Sequence, residues 1–300
     1  MNLELEHTDE DFDLSEYLVG KVDSSSIQVS QKGEIYYSKK GNVFKRDPLL
    51  GLEPVQNSYP SENIVDTFCI DDNQRLLTFL VRQASEFSDE RILVVREDKR
   101  SYKKRIFIKT PILLSAATLD FSSILIGAYE EDISLIRIGK ETKYLTLKNN
   151  KTDIVPETEK FIILNSKSFV SSGFEGIFKW NLHEDDSYNV EKLSDINSPR
   201  NLIAISEKNY IYSKGEKIFS LENVSDEWKT EEIFQNDSVI TSLDIIDNML
   251  FAGTEKGELL FISQNSIKKG YLKKGKSISL IKKTDKGLIG VSGGNVFVIK

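Results

Sequence analysis

One stretch of this 300-residue chain spells a phosphate-binding loop: Gly270-Tyr-Leu-Lys-Lys-Gly275-Lys276-Ser277. In that pattern backbone N–H groups close around a phosphate, the lysine reaches its outer oxygens and the hydroxyl meets a magnesium ion. The arrangement works only where a strand feeds the loop and a helix N-terminus follows. Here Ile278-Ser-Leu280-Ile281 reads as a strand, and only 23 residues remain after Ser277, too few for a nucleotide-binding sheet. An outer strand and turn between two β units is the expectation.

Other chemistry-bearing residues are equally sparse. Two histidines, His7 and His183, and one cysteine, Cys69, leave no ligand-spaced zinc cluster and no Cys–His pair close in sequence. Cys69 sits in the apolar run Phe68-Cys69-Ile70 and reads as a buried small hydrophobe. His183, directly after Trp180-Asn-Leu, reads as a surface turn residue. The acid groups Asp71-Asp72, Glu130-Glu131-Asp132 and Asp185-Asp186 fall where turns are expected, and Asp there stabilises local backbone hydrogen bonds. The expectation is a non-enzymatic protein with no cofactor, metal or small-molecule substrate.

The elements that position these residues follow from composition and periodicity. Hydrophobic residues make up 39% of the chain and prolines number six, as in a folded protein rather than a disordered one. The net charge of −7 is uneven. Residues 1–16 carry seven carboxylates and no Lys or Arg, which leaves 40 of each sign in the rest. No apolar run approaches a bilayer span and the acidic N-terminus is unlike a secretory signal, so an intracellular location, cytoplasmic or nuclear, without membrane insertion is expected.

Short β-rich runs recur, beginning at Val43, Ile92, Ile133, Ile177, Ile218, Leu259 and Val296, with spacings of 49, 41, 44, 41, 41 and 37 residues. Each follows a strand that ends in small residues and a polar turn, such as Ile124-Leu-Ile-Gly-Ala128, Phe169-Val-Ser-Ser-Gly173 and Met249-Leu-Phe-Ala-Gly253. Small residues there let neighbouring sheets approach closely. A further strand precedes each pair and a more polar one follows, which describes a propeller blade with an exposed outer edge. No segment has a sustained helical spacing of apolar residues.

The reading is therefore all-β: an acidic tail at 1–13 and a seven-bladed propeller of four-stranded blades at 14–300. The seventh unit stops at Lys300 without its outer strand, while residues 14–22 precede the first unit without a partner. Pairing of the N-terminal strand into the last blade satisfies both and removes two open edges.

Ser171-Ser-Gly-Phe-Glu-Gly-Ile-Phe-Lys-Trp180-Asn-Leu182 resembles the ending of a WD repeat, with small residues, a turn acid, glycine, an apolar run and tryptophan. Thr254–Ile262 and Ala128–Ile136 keep the same frame. The resemblance implies an interaction scaffold that presents docking surfaces to other protein subunits of a larger complex. It also implies a preferred docking side, formed by the second-to-third strand turns and the connections between blades.

Candidate protein-binding residues on that side are Arg82 and Phe87, in a segment 82–90 that reads as an expanded blade-two turn, with Tyr129, Glu130, Phe174 and Glu175 at the next two turns. Residues 149–159 form the longest inter-blade connection. Two basic segments offer an alternative, RNA or ribonucleoprotein as partner, for instance in ribosome assembly. Residues 96–109 hold seven Lys or Arg, including Lys99, Arg100, Lys103 and Lys104. Residues 267–286 hold eight Lys, including Lys268, Lys269, Lys273 and Lys274, with aromatics interleaved in both. The same lysines would equally protect an outer edge strand.

Overall fold

The computed structural model describes residues 12–21, 27–39, 42–46, 55–56, 64–70, 75–85, 88–97, 100–106, 113–120, 122–149, 157–246, 248–263, 266–271 and 276–300. Two short strands, β1 (Phe12–Asp13) and β2 (Leu18–Lys21), flank a 3-10 turn at Leu14–Tyr17. Seven sequential groups follow. Blade one is β3 (Ile27–Val29), β4 (Ile35–Lys39), β5 (Asn42–Arg46) and β6 (Val55–Gln56). Blade two is β7 (Ile64–Ile70), β8 (Leu76–Ser85), β9 (Ser88–Glu97) and β10 (Arg100–Ile106). Blade three is β11 (Leu113–Asp120), β12 (Ser123–Ala128), β13 (Ile133–Ile138) and β14 (Thr142–Leu147). Blade four is β15 (Thr158–Asn165), β16 (Ser168–Gly173), β17 (Gly176–Leu182) and β18 (Tyr188–Ser194). Blade five is β19 (Arg200–Ser206), β20 (Asn209–Lys214), β21 (Lys217–Val224) and β22 (Glu227–Gln235). Blade six is β23 (Ile240–Ile246), β24 (Met249–Thr254), β25 (Glu258–Ile262) and β26 (Ile267–Tyr271). Blade seven begins with β27 (Ile278–Thr284), β28 (Gly287–Ser292) and β29 (Asn295–Ile299).

Within each blade the strands pair in chain order, and β2 completes blade seven antiparallel to β29, with Leu18 opposite Phe297 and Lys21 opposite Asn295. The fold is thus the expected seven-bladed β-propeller, its last blade finished by the N-terminal strand. One strand is additional. β1 pairs parallel to β26, Phe12 opposite Gly270, and makes blade six five-stranded. Residues 12 and 13 therefore belong to the sheets and not to the acidic tail, whose residues 1–11 lie outside the described residues.

By internal packing the chain divides into two compact units. One comprises residues 1–59, 212–219 and 232–300, and the other residues 60–211 and 220–231. In the second unit the core lies between adjacent sheets. Leu77, Phe79, Leu93 and Val95 of blade two pack against Ile124, Ile126 and Ile136 of blade three. Leu125, Ile133 and Leu135 turn to the other face and meet Phe161, Phe169, Phe178 and Trp180 of blade four. This alternation is why β12 is buried at all six positions and why its sequence reads as an unbroken apolar run. In the first unit Phe251, Leu259 and Phe261 of blade six pack on Ile278, Ile281 and Leu288 of blade seven, joined by Leu14.

A device repeated in both units explains the small residues at the ends of second strands. Ser115 Oγ donates to the Thr158 carbonyl, and Ser242 Oγ to the Ile278 carbonyl, so one blade is fastened to the first residue of the next. Gly127 and Gly253 lie opposite those serines. A Cβ on Gly127 would fall 2.4 Å from the Thr158 carbonyl oxygen, and one on Gly253 would fall 2.7 Å from Ile278 Cγ2. The expectation of close sheet approach therefore holds residue by residue.

Several local readings change. Segment 82–90 is not an expanded turn. β8 and β9 simply run on, pairing Arg82 with Glu90, Gln83 with Asp89 and Ser85 with Ser88, because backbone ladders need no apolar side chains. Cys69 is partly rather than fully buried, and its thiol donates to the Ala116 carbonyl at 3.2 Å. His183 is the exposed turn residue expected. Its N–H donates to the Ser187 carbonyl, while Asp185 accepts from both the N–H and the hydroxyl of Ser187. Those two bonds hold the Asp185 carboxyl below its ordinary range. Asp71 and Asp72 lie outside the described residues.

Candidate docking site

The site grows from two turns in the second unit. At the end of β12 the chain turns through Tyr129 and Glu130, with the Glu131 N–H donating to the Ala128 carbonyl. Glu130 takes φ of 55°, in the left-handed region that glycine enters without strain. At the end of β16 the chain turns through Phe174 and Glu175. Tyr129 is 41% exposed and Phe174 is 50% exposed, so two large aromatic rings face solvent here.

Glu157, at the end of the connection from β14 to β15, joins the turns. Its carbonyl accepts from the Phe174 N–H at 3.2 Å. Its carboxylate lies within electrostatic reach of the Tyr129 phenol. The charge of Glu130 first, then that of Glu157, then a hydrogen bond to Glu130 push that phenol above its ordinary range. Gly173 permits the approach, since a Cβ there would fall 1.7 Å from the Glu157 carbonyl oxygen. On the other side the Ser198 N–H donates to the Gly173 carbonyl at 3.1 Å, so the next inter-blade connection also holds this turn. Gly173→Ala is expected to lower stability by about 3 kcal/mol, the upper end for overpacking because the obstructing atoms are backbone. Urea unfolding checks this, and an unchanged midpoint would show that the Glu157 connection yields freely.

The structure thus brings together Tyr129, Glu130 and Phe174 and adds Glu157, which lay inside the 149–159 connection but was not read as part of a site. Glu175 departs from expectation. It is 8% exposed, so the turn acid points inward and offers little surface. Arg82 lies within β8, away from any turn, and Phe87 is outside the described residues.

The basic segments fall on β10, the outermost strand of blade two, and on β26, whose outer edge in blade six is covered by β1. Arg100, Lys103 and Lys104 lie on β10, opposite Glu97, Val94 and Leu93 of β9. Lys268 and Lys269 lie on β26, and Lys269 Nζ stands 3.6 Å from a carboxylate oxygen of Glu258, which offsets its charge. Lys99, Lys273 and Lys274 lie outside the described residues. The phosphate-loop pattern is divided between β26, which ends at Tyr271, and β27, which starts at Ile278. A strand stands where the phosphate loop requires a helix N-terminus. Among the described residues no group of three or more His, Cys, Asp or Glu is placed to hold a metal ion. None of their helices is long and apolar enough to cross a membrane.

No protein-family model matches the sequence, and comparison with curated proteins gives no significant match. Solved structures do match in fold. The extracellular domain of BT4673 from B. thetaiotaomicron superposes with a TM-score of 0.62 at 13% identity, over 97% of this chain. This chain spans 42% of that one. YCF48 bound to D1 peptide superposes with a TM-score of 0.62 at 12% identity, over 94% of each chain. At these identities the likeness is one of fold, the β-propeller.

Proposed function

We propose that this chain is a WD-repeat-like interaction scaffold, a non-enzymatic subunit of a larger intracellular complex that docks a segment of another protein on the turns of blades three and four. The observation that carries the reading is the pair of exposed rings, Tyr129 and Phe174, held beside one another's turns by Glu157. Rigid aromatic side chains at a fixed surface are the usual anchors of protein interfaces. The Ser171–Trp180 segment supports the repeat assignment, and Trp180 Nε1–H donates to Ser171 Oγ at 2.8 Å between β17 and β16. Peptide binding by a propeller of the same extent, YCF48, supports a peptide or extended segment as the docked element.

Affinity purification with mass spectrometry tests this. A partner recovered with the native chain is expected to be lost from the Tyr129→Ala/Phe174→Ala variant, whose thermal unfolding should be unchanged because both rings are exposed. Full retention of every partner by that variant overturns the assignment of the site.

A further inference from the structure

We infer that the segment docked on Tyr129 and Phe174 is positively charged, an arginine- or lysine-bearing stretch of the partner. The inference rests on the docking reading above and concerns only what the surface selects.

Among the described residues the charges that act on Tyr129 are acidic, and Lys192, a cation beside the Phe174 turn, is paired with Asp195. Glu130 is exposed and Glu131 half-buried in the blade-three turn, and Glu157 is half-buried between the turns. Elsewhere in the same unit some turn and edge acids are matched by cations, while others, such as Glu141, Asp226, Glu227 and Glu231, are not among the described residues' ion pairs. Asp186 meets Arg137 at 3.0 Å and Lys143 at 3.7 Å, Glu184 meets Lys167 at 2.9 Å, and Glu207 meets Lys179 at 3.8 Å. Among the described residues Glu130, Glu131 and Glu157 have no such cation. What these carboxylates act on is Tyr129, whose phenol the charges of Glu130 and then Glu157 hold above its ordinary range.

Two aromatic faces flanked by carboxylates suit a cation on both counts. A guanidinium or ammonium over an exposed ring is attracted by the ring's negative face, more strongly when water is excluded. Guanidinium also pairs with a carboxylate through two parallel N–H donors, so arginine should outrank lysine. An acidic or phosphorylated segment would instead bring like charges together at the rim, which is how such a surface rejects wrong partners.

The experiment pans a random-peptide display library against the full chain. Clones that bind the native protein but not Tyr129→Ala/Phe174→Ala are kept, and their synthetic peptides are measured by fluorescence anisotropy. The kept peptides are expected to be enriched in Arg and Lys. Glu130→Gln/Glu157→Gln should weaken them about tenfold, in line with loss of roughly 1.4 kcal/mol. The control Glu227→Gln/Glu231→Gln, an equal charge change on exposed residues of β22, should weaken them less than about twofold if exposed charges act mainly locally. Kept peptides that are neutral or acidic overturn this inference and leave the docking reading standing. An equal loss with the control pair also overturns it, since attraction would then come from the protein's overall charge. Failure to find any peptide that depends on Tyr129 and Phe174 overturns both.

Discussion

Removing residues 1–21 is expected to leave a chain without cooperative folding at ordinary temperature. The deletion takes β2 from the edge of β29, so the N–H and C=O groups opposite Leu18, Gly20 and Lys21 lose their partners and blade seven ends in an open edge. It also takes Leu14, 0% exposed, out of the core shared by blades six and seven. Leu14→Ala alone should lower stability by about 2–5 kcal/mol through lost burial and an unfilled cavity. Loss of the whole strand adds to this, against a total stability of roughly 5–15 kcal/mol for a domain. Circular dichroism melts of three forms order the effects. Deleting residues 1–11 should leave the transition in place, Leu14→Ala should shift it down, and deleting residues 1–21 should abolish it or lower it by more than the point substitution does. A 1–21 deletion that melts like the full chain would show that β2 contributes nothing to the propeller.

That strand was legible before any coordinates because a sheet edge is a shortage that can be counted: a last unit one strand short and an N-terminal run with no unit of its own. The third strands were legible for a different reason. Runs such as Ile133–Ile136 and Leu259–Ile262 face sheets on both sides, so burial imposes an apolar stretch at each recurrence. Features held by backbone alone leave no such trace. β1 is two residues, Phe12 and Asp13, paired through main-chain groups. The long hairpin of blade two continues through Gln83 and Asp89, whose polarity reads as a loop.

The candidate site divides in the same way. Tyr129 and Phe174 were visible as large aromatic residues at two of the blade turns on the expected docking side. Their connection was not, because it passes through the carbonyl of Glu157, and a carbonyl has no residue type. The available signal was indirect: Gly127 and Gly173, each the last or next-to-last residue of a buried second strand, mark where the next blade's first residues must come close. Glu175 misled for a complementary reason. A turn acid is ordinarily solvated, and only the packing of this turn places it inside.

Trp180→Ala is expected to be the most damaging single substitution. The indole is 0% exposed, stacked on Phe169 at 5.9 Å between centroids and tilted against Phe178 and Tyr188, at the junction of blades three and four. Truncating a buried tryptophan lowers stability by about 3–5 kcal/mol. The loss extends beyond volume, since Ser171 Oγ, on a residue 1% exposed, would lose the Nε1–H that it accepts. Leaving a buried polar atom without its partner adds about 1–3 kcal/mol. Trp180→Phe separates the two contributions by keeping a ring on Phe169 while removing the donor, so it should lie between the native chain and the alanine variant. A further Ser171→Ala change should recover part of the Trp180→Phe loss, because no hydroxyl is then stranded. Urea unfolding followed by the fluorescence of Trp228, the other tryptophan of the chain, measures all three on one probe. If Trp180→Phe proves as damaging as Trp180→Ala, the hydrogen bond and not the packing dominates at this junction. If Ser171→Ala gives no recovery, the bond contributes little and the blade interface depends on the stacked rings.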